Sequence, residues 1–213
     1  MGKKADQRRK SIEKLLAAAL RLFVTLGYSA TNLEKIAGAA GLTKGAVYFY
    51  FGSKEAVLVE VLKHVRTVVL DGAIEAINAA GPGSNDKIVA FLHHAANLGL
   101  THRDEVLLLI LMSLEFKERE GDARTTLDDI NERLHKLIER VVRDGQKGGE
   151  FRTDLKAREL AAMVMINHDG TFLEWYRRPL ALEDKELVRA HRAVVVAGLH
   201  HAAPGLPVVR VQK

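Results

Sequence analysis

An all-α fold is predicted by three features of this chain. Its four prolines, Pro82, Pro179, Pro204 and Pro207, are confined to "AGPGSN", "RRPLA" and the tail "APGLPVV". The stretches between them repeat apolar residues at three- and four-residue spacing, the period of a helix with one buried face. No hairpin turn signal interrupts those stretches. The first predicted helix, Ala5–Leu26, places Ile12, Leu15, Leu16, Ala19, Leu22 and Phe23 on one face. Gly27 is positioned to stop it, as a glycine just past a helix end does. Short helices follow at Leu33–Ala40 and Lys44–Tyr50. A long one, Lys54–Asn78, opens after Ser53 and is weakened at Gly72. Beyond "AGPGSN" come Asp86–Leu100, Asp104–Glu118 and Thr125–Lys147. After the turn "GGEFRTD" come Leu155–Arg178 and Glu183–His201, and the remaining tail reads as frayed. The total is about nine helices.

Charge is unevenly placed. Residues 1–66 hold 12 Lys/Arg against 5 Asp/Glu, a net of +7, whereas residues 67–213 carry a net of −2. A basic first third points to a polyanionic partner for that third. The sequence contains no cysteine, which removes disulfides, thiolate metal sites and thiol nucleophiles. The charged opening "MGKKADQRRKSIEK" is not followed by the apolar core of a signal peptide. The longest apolar run, Val106–Met112, is far shorter than the ~20 residues that span a bilayer. A cytoplasmic protein without membrane association is expected.

The stretch "GLTKGAVYFYF", Gly41–Phe51, poses a problem. Glycine and aromatic residues are poor helix formers, yet here they crowd into one short helix. Two short helices joined by a tight glycine-containing turn form a helix-turn-helix. Gly41 suits a positive φ in that turn, and Thr43 can cap the second helix. Ala37 is small where the helices must approach, and Val47 can pack back on Ile36 and Ala40. The first helix must cover the pair, because two short helices bury too little alone.

The segment "TNLEKIAGAAGLTKGAVYFYFGSKEAVLVEVL" resembles the DNA-binding domain of TetR-family transcriptional regulators, with the match covering about residues 10–62. The resemblance implies an N-terminal three-helix DNA-binding domain, residues 1–53, and a ligand-binding and dimerisation domain, residues 54–213. It implies that Lys44–Tyr50 is the recognition helix in the major groove. Lys44 would reach a guanine edge or a phosphate, and Gly45 and Ala46 would let the helix approach the bases closely. Tyr48 and Tyr50 would contact bases or phosphates, and Lys54 would clamp the DNA backbone. Thr31 and Thr43 would offer hydroxyls and helix-start N–H groups to phosphates. Phe49 and Phe51, between these positions, are expected in the core against the first and fourth helices.

Dimers set two recognition helices about 34–36 Å apart, one turn of duplex, so a homodimer on a palindromic operator is expected. The resemblance implies dimerisation through the eighth and ninth predicted helices. The eighth is apolar on two faces, Leu160, Met163 and Val164 on one and Ala161, Met165 and Phe172 on another, which calls for burial on two sides. The resemblance also implies a small-molecule effector pocket in the second domain. His94, Asn97, Met112, Glu115, Phe116 and Asn167 are its candidate contacts, and a largely apolar lining would suit an amphipathic or aromatic ligand. No metal and no cofactor is expected. The paired histidines of the two "LHHAA" segments are adjacent, so they point about 100° apart on a helix, and no catalytic motif is present. The resulting expectation is a DNA-binding repressor that is not an enzyme. The alternative is an all-α small-molecule carrier or interaction module without specific DNA binding.

Overall fold

The computed structural model describes residues 3–178 and 184–200, and every regular element among them is helical. The elements are α1 (Lys3–Ala30), α2 (Leu33–Ala39), α3 (Lys44–Phe51), α4 (Lys54–Val65), α5 (Gly72–Ala79), α6 (Ser84–Thr101), α7 (Arg103–Glu115), α8 (Asp122–Lys147), α9 (Ala157–Arg177) and α10 (Asp184–Leu199). A π-helical stretch, Arg66–Asp71, joins α4 to α5 without a break, so the two form the long fourth helix read from the sequence. The π-helical stretch ends at Gly72, which itself keeps a helical φ of −62°. The predicted end of the last helix at His201, the "RRPLA" turn at Pro179 and the frayed tail lie outside the described residues.

Two compact units emerge from the packing, residues 1–73 with 97–134, and residues 74–96 with 135–213. In the first, α1 packs on α2, α4 and α7. Leu15, Ala18, Ala19 and Phe23 of α1 are fully buried there, with Ile36 of α2, Val47 of α3, and Val57, Leu58 and Leu62 of α4. Gly27 interrupts the first helix where the sequence placed its stop: it leaves the helical conformation (φ 81°, ψ 164°), and a short further helical turn follows to Ala30.

That last turn of α1 is held by side chains distant in sequence. The Glu115 carboxylate accepts from the backbone N–H of Tyr28 (2.8 Å) and Ser29 (2.8 Å) and from the Ser29 hydroxyl (2.6 Å). Arg119 donates to the same hydroxyl at 2.8 Å. The Tyr28 ring, nearly buried, meets Phe116 edge-on at 4.8 Å and Phe23 at 5.5 Å. Partial burial works against the charged form of Glu115, but the hydrogen bonds from Ser29 and Tyr28, with Arg119 nearby, outweigh it. The carboxyl is therefore held below its ordinary range.

In the second unit α9 packs on α10. Phe91, Ile138, Val142, Phe151, Leu160 and Phe172 lie in its core. His168 is buried among aromatics, with its ring 5.7 Å from Phe91 and 5.0 Å from Phe172, and its Nδ1 lies 2.8 Å from Asp169. The start of α6 is capped from a distance. Glu150 accepts from the N–H groups of Ser84 (2.8 Å) and Asn85 (2.9 Å), which satisfies two of the donors a helix start leaves open.

Candidate nucleic-acid interface

The turn between α2 and α3 forms as its residues require. The N–H of Leu42 returns to the carbonyl of Ala37 at 2.9 Å, and Gly41 takes φ 66°. A left-handed residue at a helix end releases the chain while still satisfying the last carbonyls. Thr43 then caps α3, accepting from the Ala46 N–H at 3.3 Å. Val47 is the buried residue of α3, and α3 packs on α2, where Ile36 and Ala37 are buried. Gly52 (φ 76°) ends α3, and Ser53 caps α4 by accepting from Ala56 at 3.1 Å. The end of α2, both ends of α3 and the start of α4 are thus set by identifiable caps, and one face of α3 is left outward.

That face carries Lys44, Gly45 and Tyr48, all exposed. Lys44 and Tyr48 line a groove with Asn32 and Glu34 of α2 and with Ser53 and Lys54 at the start of α4. A Cβ on Gly45 would meet nothing closer than the Thr43 hydroxyl at 3.9 Å, so the fold itself does not demand a glycine. The missing side chain costs helix propensity of about 1 kcal/mol and leaves a smooth outer surface. Ala46 is half-buried beside it.

Lys54 has a role inside the fold as well as at the groove. Its ammonium donates to the carbonyls of Tyr28 and Thr31, both at 2.8 Å, and lies 4.0 Å from the Tyr28 ring centroid. Burial lowers its pKa, which the charge of Glu115 partly offsets. Two of its three N–H groups are engaged by those carbonyls, and an ammonium has one more to offer a phosphate. Tyr50 is half-buried and turns to a separate shallow recess with Ile12 of α1, Phe51, and Ala56 and Val59 of α4.

Two expectations are corrected. Thr31 does not present its hydroxyl outward. The residue is 1% exposed, and its Oγ1 donates to the carbonyls of Gly27 (2.8 Å) and Leu22 (3.2 Å). Asn32 is the residue that caps α2, accepting from the Lys35 N–H at 2.9 Å. The kink at Gly27 frees carbonyls that a buried hydroxyl must satisfy, and this takes Thr31 inward. Phe49 was expected in the core but is 79% exposed. In an eight-residue helix pinned by Val47, position 49 rotates to the outer side, about 100° per residue. Its ring packs only edge-on against Tyr50, at 5.3 Å. Phe51 is half-buried, in the recess beside Ile12. Replacing Phe49 with Ala is expected to change stability by no more than about 0.5 kcal/mol in thermal unfolding. A core role would cost about 3–5 kcal/mol.

The six candidate effector contacts are divided between the units. Met112 and Phe116 are buried near the end of α7, and Glu115 between them is committed to the end of α1. Asn97 is exposed on α6 in that same unit. His94 of α6 and Asn167 of α9 belong to the other unit. The Asn167 amide donates to the Met163 carbonyl at 2.7 Å and borders a depression of about 240 Å³ between α9 and α10. Sequence reasoning missed Glu34, Asn32 and Glu150. Of these only Asn32 had a readable signal, as a cap type directly ahead of an apolar run.

Comparison with known proteins agrees with this geometry. Residues 15–61 match the family described as bacterial regulatory proteins, tetR family, and residues 70–198 match the YsiA-like protein, C-terminal region. The crystal structure of the MbdR regulator from Azoarcus sp. CIB superposes with a TM-score of 0.82 at 41% identity, over 89% of this chain and 98% of that one. The HTH-type transcriptional repressor KstR2 of Rhodococcus jostii is 27% identical over 196 residues, 87% of this chain and 89% of its own length. The FadR regulator of Bacillus subtilis, solved in complex with stearoyl-CoA, shares the fold with a TM-score of 0.70 at 22% identity, covering 88% of this chain and 99% of that one. The capped α2–α3 pair, its exposed outer face and these matches over nearly the whole chain place the protein in the TetR family of bacterial transcription regulators, DNA-binding proteins of the helix-turn-helix type.

Proposed function

We propose that this protein is a repressor that binds a palindromic operator as a homodimer and is released by a small amphipathic or aromatic effector. The observation that carries the reading is the shared groove of Asn32, Glu34, Lys44, Tyr48 and Lys54, set on an N-terminal third of net charge +7. DNA contacts are proposed for Thr43, Lys44, Gly45, Ala46, Tyr48, Tyr50 and Lys54. The N–H groups at the start of α3 and the Thr43 hydroxyl suit phosphates. The outer face of Lys44, Gly45 and Tyr48 suits base edges. Functionally, residues 1–53 are the DNA-binding part and residues 54–213 the effector and dimerisation part.

Support for the dimer comes from α9 and α10. Met163 and Ile166 on α9 and Val194 on α10 are each more than half exposed, although all are large and apolar. A second copy of the same helices is the proposed cover. The effector class is supported by the stearoyl-CoA of the Bacillus subtilis FadR structure, an amphipathic molecule. Effector contacts are proposed individually for His94, Asn97, Met112, Phe116 and Asn167, and Glu115 is reassigned to holding α1. No helix among the described residues is long and apolar enough to cross a membrane. A cytoplasmic location and action by binding, with no turnover, complete the proposal.

Selection of bound duplexes from a random pool, followed by titration of the winner at several salt concentrations, tests the reading. A winner with two inverted half-sites and a steep salt slope is expected. Tyr48→Ala should weaken binding to it by about tenfold or more, while the far-UV spectrum and the dimer mass stay as in wild type. Sequence-blind binding by the wild type, with or without added cell extract, would favour the carrier alternative.

A further inference from the structure

Lys44 is not a free cation on the DNA-facing surface. Its Nζ lies 2.5 Å from Oε1 of Glu34, which sits in the first turn of α2. Both side chains are half or more exposed, and both line the groove that also holds Tyr48 and Lys54. The neighbouring Lys35 does not compete for Glu34, because its ammonium donates to the Ala30 carbonyl at 2.7 Å. A carboxylate is a costly group to bring against a row of phosphates. It is tolerated on such a surface where the nucleic acid offers it a hydrogen-bond donor. In the major groove the bases offer only two such groups, the amino groups of cytosine and adenine.

Donor arithmetic separates these two. A lysine ammonium has three N–H groups and no acceptor. One is given to Glu34, and two remain. Guanine presents two adjacent acceptors, N7 and O6, and its cytosine partner places the N4 donor directly beside O6. In an A·T pair the amino donor sits between the two acceptors and splits them. With both remaining N–H groups used, the bonded ammonium–carboxylate couple fills the acceptor, acceptor, donor order of G·C, whereas at A·T only one of them finds an acceptor beside the amino donor. Lys44 opens α3, and the N-terminal residues of a recognition helix are those that meet base edges; Glu34, in the first turn of α2, is held beside it by the ion pair. We infer that Glu34 and Lys44 act as one unit that reads a single G·C pair in each half-site, Lys44 donating to the guanine edge and Glu34 accepting from the cytosine amino group. This rests on the operator-binding reading above.

The couple is net neutral, so it contributes specificity more than general attraction to DNA. The test uses the full-length protein and the selected operator. Each half-site position is replaced in turn by the other three base pairs, and wild type, Glu34→Ala and Lys44→Gln are titrated on every duplex. Wild type should lose about tenfold or more in affinity when the G·C pair read by the couple is replaced. Glu34→Ala should reduce that loss to about twofold or threefold at this one position and leave the other positions as they were. Lys44→Gln should also relax this position, with a salt slope changed by clearly less than the ~0.9 that loss of a phosphate contact produces. Unchanged base preferences in Glu34→Ala would overturn the inference. So would an equal gain of affinity for every duplex, which would mean that Glu34 only repels the polyanion. A salt slope reduced by about one in Lys44→Gln, with base preference intact, would make Lys44 a phosphate contact and overturn it as well. Wild type that shows no preference at any position would instead refute operator binding itself, and that failure is seen before any variant is measured.

Discussion

Glu115→Ala is expected to destabilise the unit of residues 1–73 and 97–134 by about 2–3 kcal/mol, read from urea unfolding. The side chain links two segments more than eighty residues apart. Its two oxygens accept from two backbone N–H groups and one hydroxyl at the end of α1. Truncation leaves the Tyr28 and Ser29 donors without their acceptor at a place where the Tyr28 ring is packed against Phe116. Arg119 would also lose a neighbouring negative charge, at 3.8 Å. The consequence reaches the DNA-facing groove, because Lys54 is anchored on the carbonyls of the same turn, Tyr28 and Thr31. Operator affinity should therefore fall along with stability.

The pH dependence has a definite sign. The folded state holds the Glu115 carboxyl below its ordinary range, so the folded state binds that proton less tightly than the unfolded chain does. The stabilisation is complete above the unfolded value, about 4.3, and is lost as pH falls through the folded-state value. The stability difference between wild type and Glu115→Gln should thus be full at neutral pH and shrink only in acid. A difference that is constant from pH 7 to pH 3 would show that the charge of Glu115 is irrelevant to the end of α1.

Gly145→Ala is expected to cost about 1–3 kcal/mol or more, against a gain in helix propensity of about 1 kcal/mol. A Cβ at this position of α8 would lie 2.6 Å from Cε2 of Phe151 and 2.9 Å from Cβ of Ser84. Phe151 is fully buried and cannot swing aside. The Gly145 carbonyl also accepts from the N–H groups of Glu150 (2.9 Å) and Phe151 (3.2 Å), so the turn after α8 is folded tightly back on this residue. The strain should extend to the start of α6, because Glu150 in that same turn caps Ser84 and Asn85. Combining Gly145→Ala with Phe151→Leu should recover part of the loss. Wild-type stability in the single variant would mean that Phe151 has room that its burial does not indicate.

Local order determined much of this protein before any packing was known. The proline positions and the three- and four-residue apolar spacing determined the all-α class. Gly41, Thr43, Gly52 and Ser53 determined where α3 begins and ends and where α4 begins, because a positive φ and a capping hydroxyl act within a few residues of themselves. Val47 as the inward residue of α3 followed from the same short-range geometry. Tertiary structure decided what depends on partners far along the chain. Thr31 turned inward because the kink at Gly27 left carbonyls to satisfy. Phe49 stayed outside because Val47 alone sets the rotation of so short a helix. Glu115 was read as an effector contact since it closes an apolar run, and its true neighbours lie at Tyr28 and Ser29. Likewise Lys44 was visible as a cation, but its pairing with Glu34 needed α2 and α3 set at their final angle. Caps and periodicity act along the chain, so they are written in its order. Charge pairs and burial act through space, so they exist only once the chain has folded.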